Sequence, residues 1–415
     1  MHGRGSGECM RGRIPIDRIG GARFAIRSVP EDFIVVEEPL YPPTGEGGHT
    51  FVRVEKRERT TEQVARDLAR AAGVTAREVG MAGRKDRHAV TTQWFSLPAV
   101  EPARALDFEL PEVRVLEAHR HPHKLKTGHL LRNRFEITLR DIRPPGGTGS
   151  SRVGEQEGGT GDGDDLDAIR RRAAELVERG MPNRYGEQRF GMRGTNVEEA
   201  KALLRTGPGR SRRPRSGDRR AARFLISALQ SAVFNAVLEE RGEDFDRVVL
   251  GDLARVEESG GLFWVDDPDR ESPRARAFEI SATGPIFGTR MRSPKGEVAR
   301  LERAVFDRFG LPELPELVLP RGVRARGTRR PFRVRPIDLD VRALPEGGGI
   351  RVGCALPPGA YVTVLLEALV GPVLDLSQGR ADRPRPPEAS PAASPPDRVS
   401  GIRIPKGGRW SGGRC

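Results

Sequence analysis

Residues 80–97 read Gly-Met-Ala-Gly-Arg-Lys-Asp-Arg-His-Ala-Val-Thr-Thr-Gln-Trp-Phe-Ser-Leu, and the rest of the chain is read outward from them. Val90 to Leu97 is rich in β-branched and aromatic residues, and Arg77 to Met81 alternates polar with apolar. Two strands are therefore expected to flank a glycine-containing turn with Asp86 at its tip. Gly80 and Gly83 let such a turn be tight, while Arg84, Lys85 and Arg87 surround one carboxylate with cations that favour its ionised form. An ionised carboxylate held where strands end is a candidate nucleophile. The plainer role for an aspartate in such a turn is to accept local backbone hydrogen bonds or to pair with a neighbouring arginine.

The run Ala82-Gly83-x-Lys85-Asp86-x-x-Ala89-Val90-Thr91, followed by Gln93-Trp94, closely resembles the signature of the tRNA pseudouridine synthase D (TruD) family. The resemblance implies that Asp86 is a catalytic nucleophile and that Lys85 pairs with Asp86 or with a phosphate. Upstream, Pro30-Glu31-Asp32-Phe33-x-Val35-x-Glu37 reads locally as a turn and a strand with Phe33 in its core. It is similar to the family segment whose phenylalanine lines the uridine pocket. Asn133 leads a strand that contains Phe135, which by itself is ordinary turn chemistry. Asn133-x-Phe135 nevertheless resembles the family element whose asparagine contacts the target base and whose phenylalanine stacks on it. Arg132 stands where the family has glycine, which implies a shifted loop or an altered RNA contact. Leu356-Pro357-x-Gly359-Ala360-Tyr361 resembles a closing element whose aromatic reaches the base pocket, with Tyr361 in place of the usual phenylalanine.

Other motifs follow in the family's order. Pro182-Asn183-Arg184-Tyr185-Gly186-Glu187-Gln188-Arg189-Phe190-Gly191 reads as a structured loop from its glycines and proline, and resembles the element that opens an insertion domain peculiar to the family. Residues 224–238 are apolar nearly all round, as a buried helix is, and contain a Ser227-x-x-x-Ser231-x-x-Phe234-Asn235 pattern like the family's. Gly251-Asp252 and Gly284 to Thr289 read as structural turns. The resemblance implies an α+β fold, a pseudouridine synthase catalytic domain with a mainly antiparallel sheet, interrupted by an α/β insertion domain. Residues 1–20 are expected as a disordered basic tail, and 21–192 as the first part of the catalytic domain with a flexible insertion at 143–164. The insertion domain is expected at 193–322, the second part of the catalytic domain at 323–375, and a disordered tail at 376–415.

Local signals give the elements between these motifs. Thr60 and Gln63 have capping-box spacing ahead of an apolar face of Val64, Ala65, Leu68, Ala71 and Ala72, ended by Gly73. Asp165 is expected to cap a helix striped by Leu166, Ile169, Ala173, Leu176 and Val177 and ended by Gly180. Strands are expected at 51–54, 332–334, 339–341 and 350–356, and a helix at 362–369.

The chain has 415 residues, room for two cores, and carries 71 Lys plus Arg against 58 Asp plus Glu, a net charge of +13. That balance favours a polyanionic partner, and arginine's planar fork suits phosphate. Arg210 to Arg223 reads as an exposed basic loop, equally suited to gripping RNA or to facing solvent. Cys9, Cys354 and Cys415 are isolated, so neither a zinc site nor a disulfide framework is indicated. His119, His121, His123 and His129 alternate with Arg120, Lys124 and Lys126, which repel a metal cation and suit phosphate contact. No signal segment and no stretch of about eighteen apolar residues is present, and a cytoplasmic protein away from membranes is expected.

The resemblance therefore implies a monomeric isomerase that turns uridine 13 of tRNA into pseudouridine without cofactor or metal, with the uridine flipped out of the stack. Asp86 would attack the ribose or support glycal formation. Phe33, Phe135 and Tyr361 would hold the detached uracil by stacking, and Asn133 would hydrogen-bond it. The alternatives are an idle RNA-binding or RNA-folding protein on the same scaffold and an aspartate-dependent nucleoside hydrolase.

Overall fold

The computed structural model of the chain describes residues 24–142, 162–191, 194–205, 216–313, 317, 319 and 323–377. The expected N-terminal tail, the expected C-terminal tail from residue 378, the low-complexity insertion up to residue 161, and the first part of the basic run from 210 lie outside the described residues.

Period-two burial builds the first half of the chain into strands β1 (Phe24–Ile26), β2 (Phe33–Pro39), β3 (His49–Arg57), β4 (Gly80–Met81), β5 (Val90–Pro98), β6 (Val113–His121) and β7 (Leu130–Asp141). Helix α1 (Thr61–Ala72) starts where its sequence indicates. The Thr60 side chain accepts from the Gln63 backbone N–H at 3.2 Å, and the Gln63 side chain accepts from the Thr60 N–H at 2.8 Å. Gly73, at φ 75°, ends the helix. A short helix α2 (Pro102–Leu106) follows.

The chain continues through α3 (Asp162–Arg179), β8 (Met181–Pro182), α4 (Asn196–Arg205), α5 (Ser216–Arg241), β9 (Leu253–Val256), β10 (Leu262–Trp264) and α6 (Pro268–Arg276). It then forms β11 (Ile280–Ile286), α7 (Gly296–Arg308), β12 (Thr328–Pro331), β13 (Arg333–Val334), β14 (Ile337–Ala343), β15 (Gly349–Leu356), α8 (Val362–Val370) and β16 (Val373–Asp375).

The large sheet runs β14-β15-β7-β2-β5-β3-β6, with β1, β4 and β16 attached. It is antiparallel except for the β2–β5 and β1–β16 pairs. This is the mainly antiparallel α+β architecture expected. On one side Phe33, Val35, Phe135 and Ile137 pack with Ile169, Ala173 and Leu176 of α3 and with Leu365, Leu366 and Leu369 of α8. Val52, Val54, Phe95 and Leu97 pack under α1 through Val64 and Leu68. A second sheet, β10-β9-β11-β12, shares a separate core with α5 and α7 through Val233, Phe234, Val237, Ala282, Phe287, Val305 and Phe306.

Within residues 219–244, mostly α5, one eighteen-residue window is apolar enough to cross a membrane by composition. Leu229, Val233, Phe234 and Val237 of this helix are buried in the second core. It is not buried all round, however, because Phe224 is 48% exposed.

Several local expectations change. The strand expected from Arg77 shortens to Gly80–Met81. Gly80 is required by close approach and not by turning: a Cβ there would lie 2.2 Å from Ser96 Oγ and 2.4 Å from the Leu125 carbonyl oxygen. Gly284 sits inside β11, where a Cβ would meet the Phe332 ring at 2.4 Å, so it is not a turn residue. Residues 332–334 are not one strand. The chain leaves the second sheet at Pro331 and pairs Arg333 and Val334 with β8. Residues 216–223 are the start of α5, and α3 starts at Asp162, which places Asp165 inside the helix instead of at its cap. Val177 is 36% exposed, off the buried stripe of α3.

Candidate active site

Strand register assembles the site. In the β2–β7 ladder Phe33 faces Ile137, Val35 faces Phe135 and Glu37 faces Asn133, so Asn133 and Phe135 share a sheet face with Phe33 and Glu37. The parallel partner of β2 is β5, with Ile34 beside Val90, which brings the loop carrying Asp86 against the same strand. Phe33 and Phe135 meet edge to face with ring centroids 6.4 Å apart.

The cation on Asp86 is none of its chain neighbours. Arg27 Nη2 lies 2.9 Å from Asp86 Oδ2 and the same guanidinium pairs with Asp375. Arg27 is buried, and its Cζ is 3.7 Å from the centre of the Phe33 ring. Its backbone has φ 58°, the left-handed region that costs a non-glycine residue about 1 kcal/mol. Asp86 keeps 43% of its side chain exposed, so one carboxylate is gripped and still reachable.

The backbone of this loop is tied down at Gly83, Lys85 and Asp86. The Lys85 N–H donates to Thr61 Oγ1 at 2.9 Å, Gln93 Nε2 donates to the Gly83 carbonyl at 3.4 Å, and Lys56 Nζ donates to the Asp86 carbonyl at 2.7 Å. Lys56 is fully buried, and desolvation pushes its ammonium down to about 8, with the Asp86 charge opposing the shift.

The residues singled out from sequence separate here. Arg84 pairs with Glu62, and Lys85 turns away from Asp86 to pair with Glu37, a carboxylate with no exposed surface that also accepts from the Trp94 N–H at 3.2 Å. The Lys85 side chain, 5% exposed, thus neutralises the buried Glu37 charge, and its partner in the free protein is Glu37 and not Asp86. Phe33 lies beneath the Arg27–Asp86 ion pair. It is 1% exposed, with Arg27 over its ring, and serves as the shelf of the ion pair. Asn133 Oδ1 is buried with no hydrogen-bond partner, the condition of a group kept for a ligand.

Arg132 lies in β7 opposite Glu38 and pairs with it, next to a register shift between Glu38 and Pro39. Tyr361 stands at the start of α8, packed against the first core and in edge contact with Tyr185 at 5.9 Å. Arg330 fastens this corner: its Cζ is 4.2 Å from the Tyr185 ring centre, and it donates to the Asn183 and Gly359 carbonyls at 3.1 and 2.8 Å. Among the described residues no group of three or more His, Cys, Asp or Glu side chains is placed to hold a metal ion.

Sequence reasoning missed Arg27, Lys56, Glu37 and Asp375. Lys56 and Glu37 had a signal, because each continues the buried parity of its strand, Val52-Val54-Lys56 and Phe33-Val35-Glu37, where an ionisable residue needs a reason. Arg27 and Asp375 had none.

A family model described as tRNA pseudouridine synthase D (TruD) matches residues 16–210 and 216–369. A tRNA pseudouridine synthase D of Anaeromyxobacter dehalogenans is 41% identical over 355 residues, covering 84% of this chain and 93% of that protein. One from Thermus thermophilus is 42% identical over 354 residues, covering 84% and 89%. The crystal structure of a protein described as a putative TruD from Methanosarcina mazei superposes with a TM-score of 0.63 at 20% identity, covering 85% of this chain and 94% of that one.

Proposed function

The chain belongs to the tRNA pseudouridine synthase D (TruD) family, and on that premise we propose that it isomerises uridine to pseudouridine in tRNA, at position 13, with Asp86 as nucleophile. The observation that carries the assignment of Asp86 is its half-exposed carboxylate, gripped on one oxygen by a buried arginine. In the proposed reaction Asp86 attacks ribose C1′ and the C1′–N1 bond breaks. The uracil turns over, C5 bonds to C1′ as the aspartyl ester is released, the C5 proton leaves to solvent, and N1, which kept the electron pair of the broken bond, takes up one proton from solvent. Atoms and electrons balance within the nucleotide, so the reaction calls for no oxidant, reductant or energy source.

Asn133 Oδ1 accepts a hydrogen bond from the uracil, and Phe135 and Tyr361 border the space in which it turns. The protein acts as a monomer on tRNA in the cytoplasm. The test is modification of unmodified tRNA transcripts by the purified chain and its Asp86→Ala variant, without added cofactor or divalent metal, read by pseudouridine-specific mapping. Pseudouridine at position 13 with the wild type alone supports the proposal. Tight tRNA binding with no pseudouridine from either protein replaces it with an RNA-binding role.

A further inference from the structure

The loop joining β6 to β7 closes a second, separate arrangement of reactive side chains. A cavity of about 380 Å³ is lined by Tyr41, His121, His123, Lys124, Lys126 and His129, with only Pro42 and Thr44 in addition. Its volume is at the small end of ligand sites, roughly 300–1,000 Å³. The chain has seven histidines; three line this cavity, and His49 is the cross-strand neighbour of His121.

The walls are built and not merely adjacent. The Tyr41 hydroxyl is 2.6 Å from His129 Nδ1, and its ring is stacked on His121 with centroids 5.3 Å apart and planes at 14°. His121, 6% exposed, rests in turn on Phe51 at 4.3 Å. Gly47, at φ 112°, lets the preceding loop close on this one: a Cβ there would lie 2.5 Å from the Pro122 backbone.

The charge is one-sided. Lys124 and Lys126 border the cavity, and no carboxylate lines it. Burial, together with Lys124 and His123, pushes the His49 imidazole below its ordinary value, while Lys124 also donates to the Arg77 carbonyl and lowers the Glu78 carboxyl from outside the cavity. A cavity with ammonium groups, imidazole N–H donors and flat ring surfaces suits a phosphodiester with its attached nucleoside. The same cations disfavour a metal ion. The loop is also tied to the segment that carries Asp86, because the Gly128 N–H donates to the Ala82 carbonyl at 2.8 Å.

We propose that this cavity is a second RNA subsite, taking a backbone phosphate and its nucleotide from the strand adjoining the target uridine. The inference rests on the pseudouridine synthase reading for the identity of the polyanion as RNA. It predicts that binding and chemistry separate: Lys124 and Lys126 hold substrate, and Asp86 reacts.

The test uses the full chain with unmodified tRNA transcript, measuring affinity across a salt series in an Asp86→Ala background and KM and kcat with Asp86 intact. Lys124→Ala/Lys126→Ala is expected to weaken binding about tenfold near physiological salt and to lower the slope of log affinity against log salt by about one to two. KM rises about tenfold while kcat stays within about twofold. Lys126→Glu, at an exposed position where folding is not at issue, is expected to act in the same direction. Unchanged affinity and slope in both variants overturn the subsite. So does a fall in kcat with KM unchanged, which would make the loop only a support for the Ala82 segment. If the wild type makes no pseudouridine yet the lysine variants still lose tRNA affinity and salt slope, the proposed reaction falls and the subsite stands.

Discussion

Arg27 Nη2 and Asp86 Oδ2 stand 2.9 Å apart across 59 positions of sequence, and the guanidinium that holds Asp86 also holds Asp375 near the end of the described chain. The pair exists because β1 runs parallel to β16, with Ile26 beside Asp375, so the residue after β1 emerges between the two carboxylates. Phe33 beneath the guanidinium keeps it flat and dry.

Replacing Arg27 by Met leaves the partly buried Asp375 carboxylate without its guanidinium partner and releases Asp86. We expect a loss of about 3–5 kcal/mol in stability by urea titration, and no detectable pseudouridine. Arg27→Lys keeps one charge but not the fork that serves two carboxylates. It should fold, with turnover about tenfold lower; wild-type turnover in this variant would show that the second carboxylate is irrelevant.

Lys56 supplies a pH dependence. Its folded-state value of about 8 lies below the ordinary 10.5, so between these pH values the unfolded chain holds the proton and the folded chain does not. This group therefore opposes folding fully below about pH 8 and ceases to do so as pH rises through 10.5. Lys56→Met, which removes a buried charge, should be at least as stable as wild type at pH 7 in a thermal melt. The same variant should lose turnover, because the Asp86 carbonyl loses its anchor. In the wild type, turnover should decline above about pH 8 as the ammonium is lost. An unaltered alkaline limb in Lys56→Met would remove Lys56 from that account.

Lys85 and Glu37 form a buried pair, so each is costly alone. Lys85→Met should cost about 3–5 kcal/mol by leaving Glu37 charged and unpaired, and adding Glu37→Gln should recover most of it while keeping an acceptor for the Trp94 N–H. Equal destabilisation by the single and double variants in chemical denaturation would contradict the pairing.

Asn133 should behave in the opposite way. Its Oδ1 has no partner in the free protein, so Asn133→Ala should shift stability by less than about 1 kcal/mol. Pseudouridine formation should nevertheless fall by about a hundredfold in a single-turnover assay. A large stability loss with normal turnover would assign Asn133 to the framework.

Short-range chemistry is legible in the order of residues alone. The Thr60/Gln63 capping box, the Gly73 stop, the alternation of β2, β5 and β15, and the run around Asp86 each depend on residues a few positions apart. The same locality misleads at Lys85, since neighbours in a loop are neighbours in sequence only; its backbone direction sends the side chain to Glu37 on β2.

By itself the sequence determined helices α1 and α8, strands β2, β3, β5 and β15, the mainly antiparallel sheet its family resemblance implies, and the stretch that carries Asp86. Only the tertiary structure decided which cation Asp86 meets, why Phe33 is a shelf, and that Lys56 holds the loop from beneath. The reason is physical. Helices, caps and strand parity are set by interactions over a few residues, whereas an ion pair between Arg27 and Asp86 requires five strands, β16, β1, β7, β2 and β5, to take one particular register.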